Sequence, residues 1–437
     1  MKSSVKEALA SARDTRVLQI GRNIIDQVPH LFEENFSGKK ALVVCDTTTY
    51  EVAGREIQAR LLANKMVHGE PFIFNEPRPY AEFGNVLKLE EALKGHDAIP
   101  VAVGSGTIND LTKLAAARAN RPYLCVATAA SMDGYTAFGA SITYQGAKQT
   151  FSCPAPQAVL ADIEVIRKAP ALMTASGYAD LFAKVTAGAD WILADALRIE
   201  SIDKRAWSIV QDGLKEALAD PEGAKEGKES AVTPLVEGLI LGGFAMQWSQ
   251  TSRPASGAEH QFSHLWNMEH HTHQGEAPSH GFQVGIATLA ITRLYEKMLQ
   301  TPLDELDVEA SCKKWPEWEE LEQNAVSLFR DTDFLDTAIK ESRAKYISRE
   351  ELAGQLSHLK QIWPQLKDQL SKQLVPSGEV ERRLIAVGAP VEPEQIGISK
   401  ERMKASFIRA QYIRTRFTIL DIAVRTGYLE QWLNEMF

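Results

Sequence analysis

Six of the ten histidines in this 437-residue chain, His260, His264, His270, His271, His273 and His280, fall within Glu259–Gly281. His260 and His264 are spaced i, i+4, which puts both imidazoles on one face of a helix. A lone helical histidine is more often an ordinary polar residue than a ligand. A helical pair followed by Pro278-Ser279-His280-Gly281 points instead to a divalent metal. Three protein ligands with one open position is the catalytic pattern, and without nearby thiolates a borderline or hard ion is expected. The third ligand has to come from elsewhere. SGYADLFAK (Ser176–Lys184) carries one carboxylate, Asp180, on a small and apolar face, yet spacing alone does not choose it over Asp190 or Glu237.

Two glycine-bearing segments could bind a ligand through backbone. In VAVGSGTINDLTK (Val101–Lys113) a buried strand ends at Gly104, turns through Ser105-Gly106-Thr107 and starts a helix. Glycines let backbone approach a phosphate, and the first N–H groups of a helix bind it. Neither standard phosphate fingerprint applies, so the segment also reads as a plain turn. A β-branched residue at Gly106 would fill that space and oppose a positive φ. ATAASMDGYTAFGAS (Ala127–Ser141) follows another strand at its carboxyl end, where open α/β sheets place ligands. Its one charge, Asp133, is either functional or an Asx-turn with Gly134.

The elements that must hold these residues alternate in the first third of the chain. ALVVCD (Ala41–Asp46), PFIFN (Pro71–Asn75), AIPVAVG (Ala98–Gly104), PYLCVAT (Pro122–Thr128) and AVLADIEVI (Ala158–Ile166) read as strands. Amphipathic stretches over Tyr50–Asn64 and Thr107–Asn120 read as helices. Near-continuous apolar strands between helices imply a parallel sheet covered on both faces. Beyond Pro170 the period is helical, with Asp220–Ser230 as a solvated loop and breaks near Pro376–Gly378 and Gly388–Pro393. The expected architecture is an α/β nucleotide-binding domain over 1–168 and an all-helical metal- and substrate-binding domain over 169–437.

The balance of 48 Lys+Arg against 57 Asp+Glu gives a formal charge of −9, which argues against a sequence-independent grip on nucleic acid. Cys45, Cys125, Cys153 and Cys312 are widely spaced and form no CxxC, so a reduced, cytoplasmic chain is expected. The N-terminus has no apolar signal-peptide core, and no uncharged apolar run reaches the ~18 residues of a membrane span.

VAVGSGTINDLTK, TAASMDGYT, SGYADLFAK, SRPASGAEHQFSHLW and PSHG, in this order and at these separations, resemble the sn-glycerol-1-phosphate dehydrogenases. That family lies in the superfamily of iron-type alcohol dehydrogenase, glycerol dehydrogenase and dehydroquinate synthase. The likeness runs from Ala41 to about Gly285 and is nearest to the bacterial branch. It implies a dehydroquinate synthase-like fold and the NAD(P)-dependent, reversible reduction of dihydroxyacetone phosphate in phospholipid metabolism. The ion would be zinc, nickel or iron, and the assembly a homodimer.

On matching positions, the resemblance makes Asp180, His260 and His280 the metal ligands. It makes Gly104, Ser105, Gly106, Thr107, Ile108, Asn109 and Asp110 the pyrophosphate site, Thr128 and Ser131 the nicotinamide side, and Asp46 the ribose contact. Asp133 and His264 would meet substrate. The family often carries a hydroxyl where this chain has Ala137, and His270, His271 and His273 fall in a variable insertion. Arg253, just ahead of the metal helix, is a candidate for the substrate phosphate. The rival readings are another metal-dependent polyol or alcohol dehydrogenase, such as glycerol dehydrogenase, a dehydroquinate-synthase-like lyase, and a non-catalytic metal-binding relative.

Overall fold

A computed structural model describes residues 2–76, 79–145 and 147–437. The chain divides into two compact units: Met1–Leu181 with Arg205–Ser252 and Ala386–Gly388, and Phe182–Lys204 with Arg253–Ile385 and Ala389–Phe437.

The first unit is built on a six-stranded, all-parallel sheet. Its strands are β1 (Val17–Gly21), β2 (Ala41–Asp46), β3 (Phe72–Phe74), β4 (Ile99–Gly104), β5 (Leu124–Ala127) and β8 (Ala158–Asp162), in the order β1-β8-β5-β4-β2-β3. A hairpin of β6 (Ala140–Tyr144) and β7 (Ala147–Phe151) stands apart as an antiparallel pair. β4, β5 and β8 are buried along their whole length, as apolar β-rich strands under two helical faces must be. Leu31, Phe32, Val43, Ile57, Leu61, Val101, Val126 and Leu160 form one continuous core across this layer.

The helical and strand readings of this region hold, with three corrections. β1 is an additional strand; at the sheet edge only Leu18 of its residues is buried, so no apolar run marked it. AVLADIEVI is not one strand. Asp162 ends β8, accepts the N–H groups of Asn23, Ile24 and Ile25, and caps a short helix, Ile163–Ile166, through Glu164 N. An N-capping carboxylate there outweighs the β propensity of the isoleucines and valine. Asp220–Ser230 is not a loop either. Asp220 caps the helix Pro221–Lys225 by accepting Gly223 N, with proline at the first turn, and Glu229 already begins the helix Glu229–Ser249.

The second unit is helical. Its longest helix, Arg349–Gln373, opens with a Ser348/Glu351 capping box and buries Leu352, Leu356, Leu359, Trp363, Leu366 and Leu370. That i, i+4, i+7 stripe packs into a cluster with Phe262, Trp266, Ile291, Tyr295, Phe407 and Trp432. The helix Lys184–Ala196 supplies Asp190, a buried carboxylate that accepts Tyr295 OH, Ala258 N and Ile419 N. No helix among the described residues is long and apolar enough to cross a membrane.

Candidate active site and metal centre

The carboxyl edge of the parallel sheet gathers the proposed cofactor residues. Asp46 closes β2, Gly104 closes β4 and Thr128 follows β5, three neighbouring strands. From β2 the chain moves one way across the sheet and from β4 the other, so Asp46 and the Gly104 turn flank the point where strand order reverses. Asp46 is half-buried and caps its own turn, accepting Thr49 N at 2.7 Å.

The turn after β4 is shaped by Gly104. A Cβ there would lie 2.5 Å from Ile108 Cβ, so no rotamer change relieves the collision. Ser105 is the N-cap of the helix Gly106–Arg118 and contributes no side-chain cap, which leaves the first-turn N–H groups of Gly106, Thr107 and Ile108 uncapped by it. The expectation of a positive φ at Gly106 is not met, and a side chain there would meet only the flexible Met132, from 3.2 Å outward. Deeper in the same helix Ile108 and Asn109 are buried. Asn109 donates to Gly134 O and accepts from Tyr123 OH, and Asp110 accepts Ser141 N. Burial raises the Asp110 carboxyl, against the lowering effect of Lys113.

Lys113 is the residue the sequence reading missed. Fully buried, its ammonium donates to Gly134 O, Ala137 O and Gly139 O at 2.9–3.0 Å and lies 3.7 Å from Asp110. It fixes the segment after β5 from one side. Other contacts fix it elsewhere: Thr136 Oγ1 donates to Ile240 O, Gln247 Nε2 to Thr136 O, Tyr135 OH to Ala129 O, and Ser176 Oγ to Ser131 O. A Cβ on Gly177 would overlap Ala130 O, and one on Gly243 would overlap Thr136 Oγ1. The small-residue loop is therefore held from several sides, and Thr128 is buried with its N–H donating to Gly104 O. Asp133 N donates to Asp180 Oδ2 at 3.2 Å, so the proposed substrate aspartate and the proposed metal aspartate are joined within the first unit. Asp180 is fully buried on the helix Ala171–Phe182.

In the second unit the histidine pair converges. His260 lies on the helix Ala258–Met268 and His280 opens the helix His280–Gln300; their ring centroids are 5.3 Å apart. Each ring is held at Nδ1. His260 Nδ1 donates to Glu259 Oε1 at 2.7 Å, and Ser263 Oγ lies 3.3 Å from His280 Nδ1. His264 is half-buried one turn beyond His260. The rivals for the carboxylate ligand are engaged elsewhere: Asp190 as described, and Glu237 by Lys2 N and Nζ.

A family model for iron-containing alcohol dehydrogenase matches residues 19–170. Glycerol-1-phosphate dehydrogenase, NAD(P)+, of Halalkalibacterium halodurans is 33% identical over 297 residues, 67% of this chain and 74% of that one. Its namesake from Geobacillus thermodenitrificans is 30% identical, covering 87% and 86%. The chain belongs to the glycerol-1-phosphate dehydrogenase family. The crystal structure of glycerol dehydrogenase from Schizosaccharomyces pombe shares the fold, with a TM-score of 0.59 at 16% identity over 97% of this chain and 91% of that one. So does an iron-containing alcohol dehydrogenase from Thermotoga maritima, with a TM-score of 0.56 at 14% identity over 96% and 98%.

Within this glycerol-1-phosphate dehydrogenase family member, His270 and His271 of the insertion have side-chain partners of their own. His271 Nε2 donates to Ile396 O while its Nδ1 meets Arg402, and His270 pairs with Asp333. Burial lowers the His271 pKa, keeping it neutral between those partners. Arg253 is buried and donates to Phe417 O and Asp190 O, with Glu200 3.2 Å from its Nε.

Proposed function

We propose that this chain is an NAD(P)-dependent sn-glycerol-1-phosphate dehydrogenase that reversibly reduces dihydroxyacetone phosphate at a divalent-metal site formed by Asp180, His260 and His280. The observation that carries the reading is that, within the second unit, the His260 and His280 rings converge to 5.3 Å between centroids, on the two histidines that the family resemblance makes ligands together with the buried Asp180. The donor set fits such an ion: one buried carboxylate and two imidazoles whose Nδ1 atoms already have protein neighbours. A bound divalent ion there would supply Lewis-acid polarisation of the substrate oxygen. Zinc, nickel and iron all suit the set.

The chain's own residues do the rest. The Gly104–Asp110 turn takes the cofactor pyrophosphate on first-turn N–H groups, and Thr128 and Ser131 border the nicotinamide. Asp46 receives the adenosine ribose, and its charge favours NAD over a 2′-phosphate. Asp133 orients the substrate, and His264 passes the alcohol proton to solvent near neutral pH. We place the enzyme in the cytoplasm as a homodimer serving phospholipid synthesis; its four free thiols accord with a reducing compartment.

The test is NADH oxidation by metal-stripped protein offered dihydroxyacetone phosphate, before and after addition of zinc, nickel or ferrous iron. Restored turnover on the phosphorylated ketone supports the reading. Turnover on unphosphorylated dihydroxyacetone or glycerol alone would make the chain a polyol dehydrogenase instead. No redox activity with metal bound would leave a metal-binding relative.

A further inference from the structure

We infer that Glu259 is a positioning residue for the metal site: its carboxylate sets the tautomer and ring angle of His260. This inference rests on the metal reading above. Glu259 is fully buried in the second unit. Oε1 accepts His260 Nδ1 at 2.7 Å and Gly257 N at 2.6 Å, while Oε2 accepts Thr186 Oγ1 at 2.7 Å. A bond from Nδ1–H places the ring's proton on that nitrogen and leaves Nε2 as the basic, ligating atom.

The carboxylate is itself immobilised. Thr186 and Asp190 lie one turn apart on the helix Lys184–Ala196, and both grip the start of the helix that carries His260. Thr186 holds the Glu259 side chain and Asp190 accepts Ala258 N at 2.7 Å. Gly257 fits between the two carboxylates only because it lacks a side chain: a Cβ would lie 2.5 Å from Asp190 Oδ2 and 2.9 Å from Glu259 Oε2. A buried anion with this much dedicated support is more than a surface ion pair needs. An acidic partner on the far nitrogen of a ligating imidazole raises its basicity and fixes its orientation, and losing such a partner costs roughly 10–100-fold in metal affinity.

The experiment compares metal-stripped wild type, Glu259→Gln and Thr186→Val. Zinc affinity is read by competition with a chromophoric chelator, the visible spectrum with cobalt(II) bound, and the melting temperature without metal. Glu259→Gln is expected to melt near wild type, to bind zinc about 10–100-fold more weakly, and to shift the cobalt bands. Thr186→Val, which keeps the charge but frees the carboxylate, is expected to fall between the two. Zinc affinity within twofold of wild type and unchanged cobalt bands in Glu259→Gln would overturn the inference. Should that variant fail to fold, wild-type affinity in Thr186→Val would overturn it instead. Wild type that binds no zinc or cobalt at all would remove the metal reading itself, a distinct result.

Discussion

Replacing Lys113 with methionine removes the ammonium and keeps most of the side-chain volume. The native group makes three charge-assisted bonds, to Gly134 O, Ala137 O and Gly139 O, in a fully buried setting, and lies 3.7 Å from the partly buried Asp110. Gly134 O keeps a second donor in Asn109 Nδ2, so two carbonyls lose their side-chain donor outright. Each unsatisfied buried acceptor costs about 1–3 kcal/mol, so the two together cost about 2–6 kcal/mol. A net loss of about 4 kcal/mol is expected, equivalent to roughly 8–16 °C in melting temperature for a unit of this size. The loop after β5 should loosen with it, so NADH affinity measured by fluorescence titration should fall as well. A melting temperature within 2 °C of wild type would refute the assignment of Lys113 as the residue that fixes this loop.

Four further outcomes are expected. His264→Ala should keep its metal and melting temperature while kcat falls about 10²–10⁴-fold, whereas wild-type kcat with a lower melting temperature would make it an ordinary packed histidine. Gly104→Ala should lose both stability and NADH binding, because the added Cβ meets Ile108 Cβ, while Gly106→Val should lose NADH binding and, with only Met132 to displace, little stability; equal melting losses for the two would contradict that contrast. Asp46→Asn keeps a competent N-cap for Thr49 and removes the charge, so the NADH preference over NADPH should narrow without destabilisation. Burial pushes the thiols of Cys45, Cys125 and Cys153 up to about 12, so under native conditions a disulfide reagent at pH 8 should titrate a single thiol, Cys312.

Central strands of the fold were legible because β4 and β5 are buried along their whole length and β2 is buried up to its terminal Asp46, so these runs must be apolar. β1 was not, since an edge strand with Gln19 and one buried leucine carries no such run. Capping chemistry was the second blind spot: Asp162 and Asp220 convert apolar or charged stretches into helix starts, a decision made by one side chain and invisible to periodicity. In the site, the histidines stood out by density. Asp180 did not, because small apolar neighbours surround many structural carboxylates too. Lys113 and Glu259 carried weaker signals, a lone cation on a buried helix face and an acid directly before a ligating histidine. Their importance comes from what the fold brings to them, namely three carbonyls in one case and Thr186 in the other.

The decisive measurement is the product formed by the metal-reloaded enzyme supplied with NADH and dihydroxyacetone phosphate. NADH should be consumed one for one with sn-glycerol 1-phosphate formed, with no product without metal and none in a His280→Ala variant that has lost its ion. Formation of the opposite enantiomer, or full turnover by His280→Ala with the metal stripped away, would contradict this expectation.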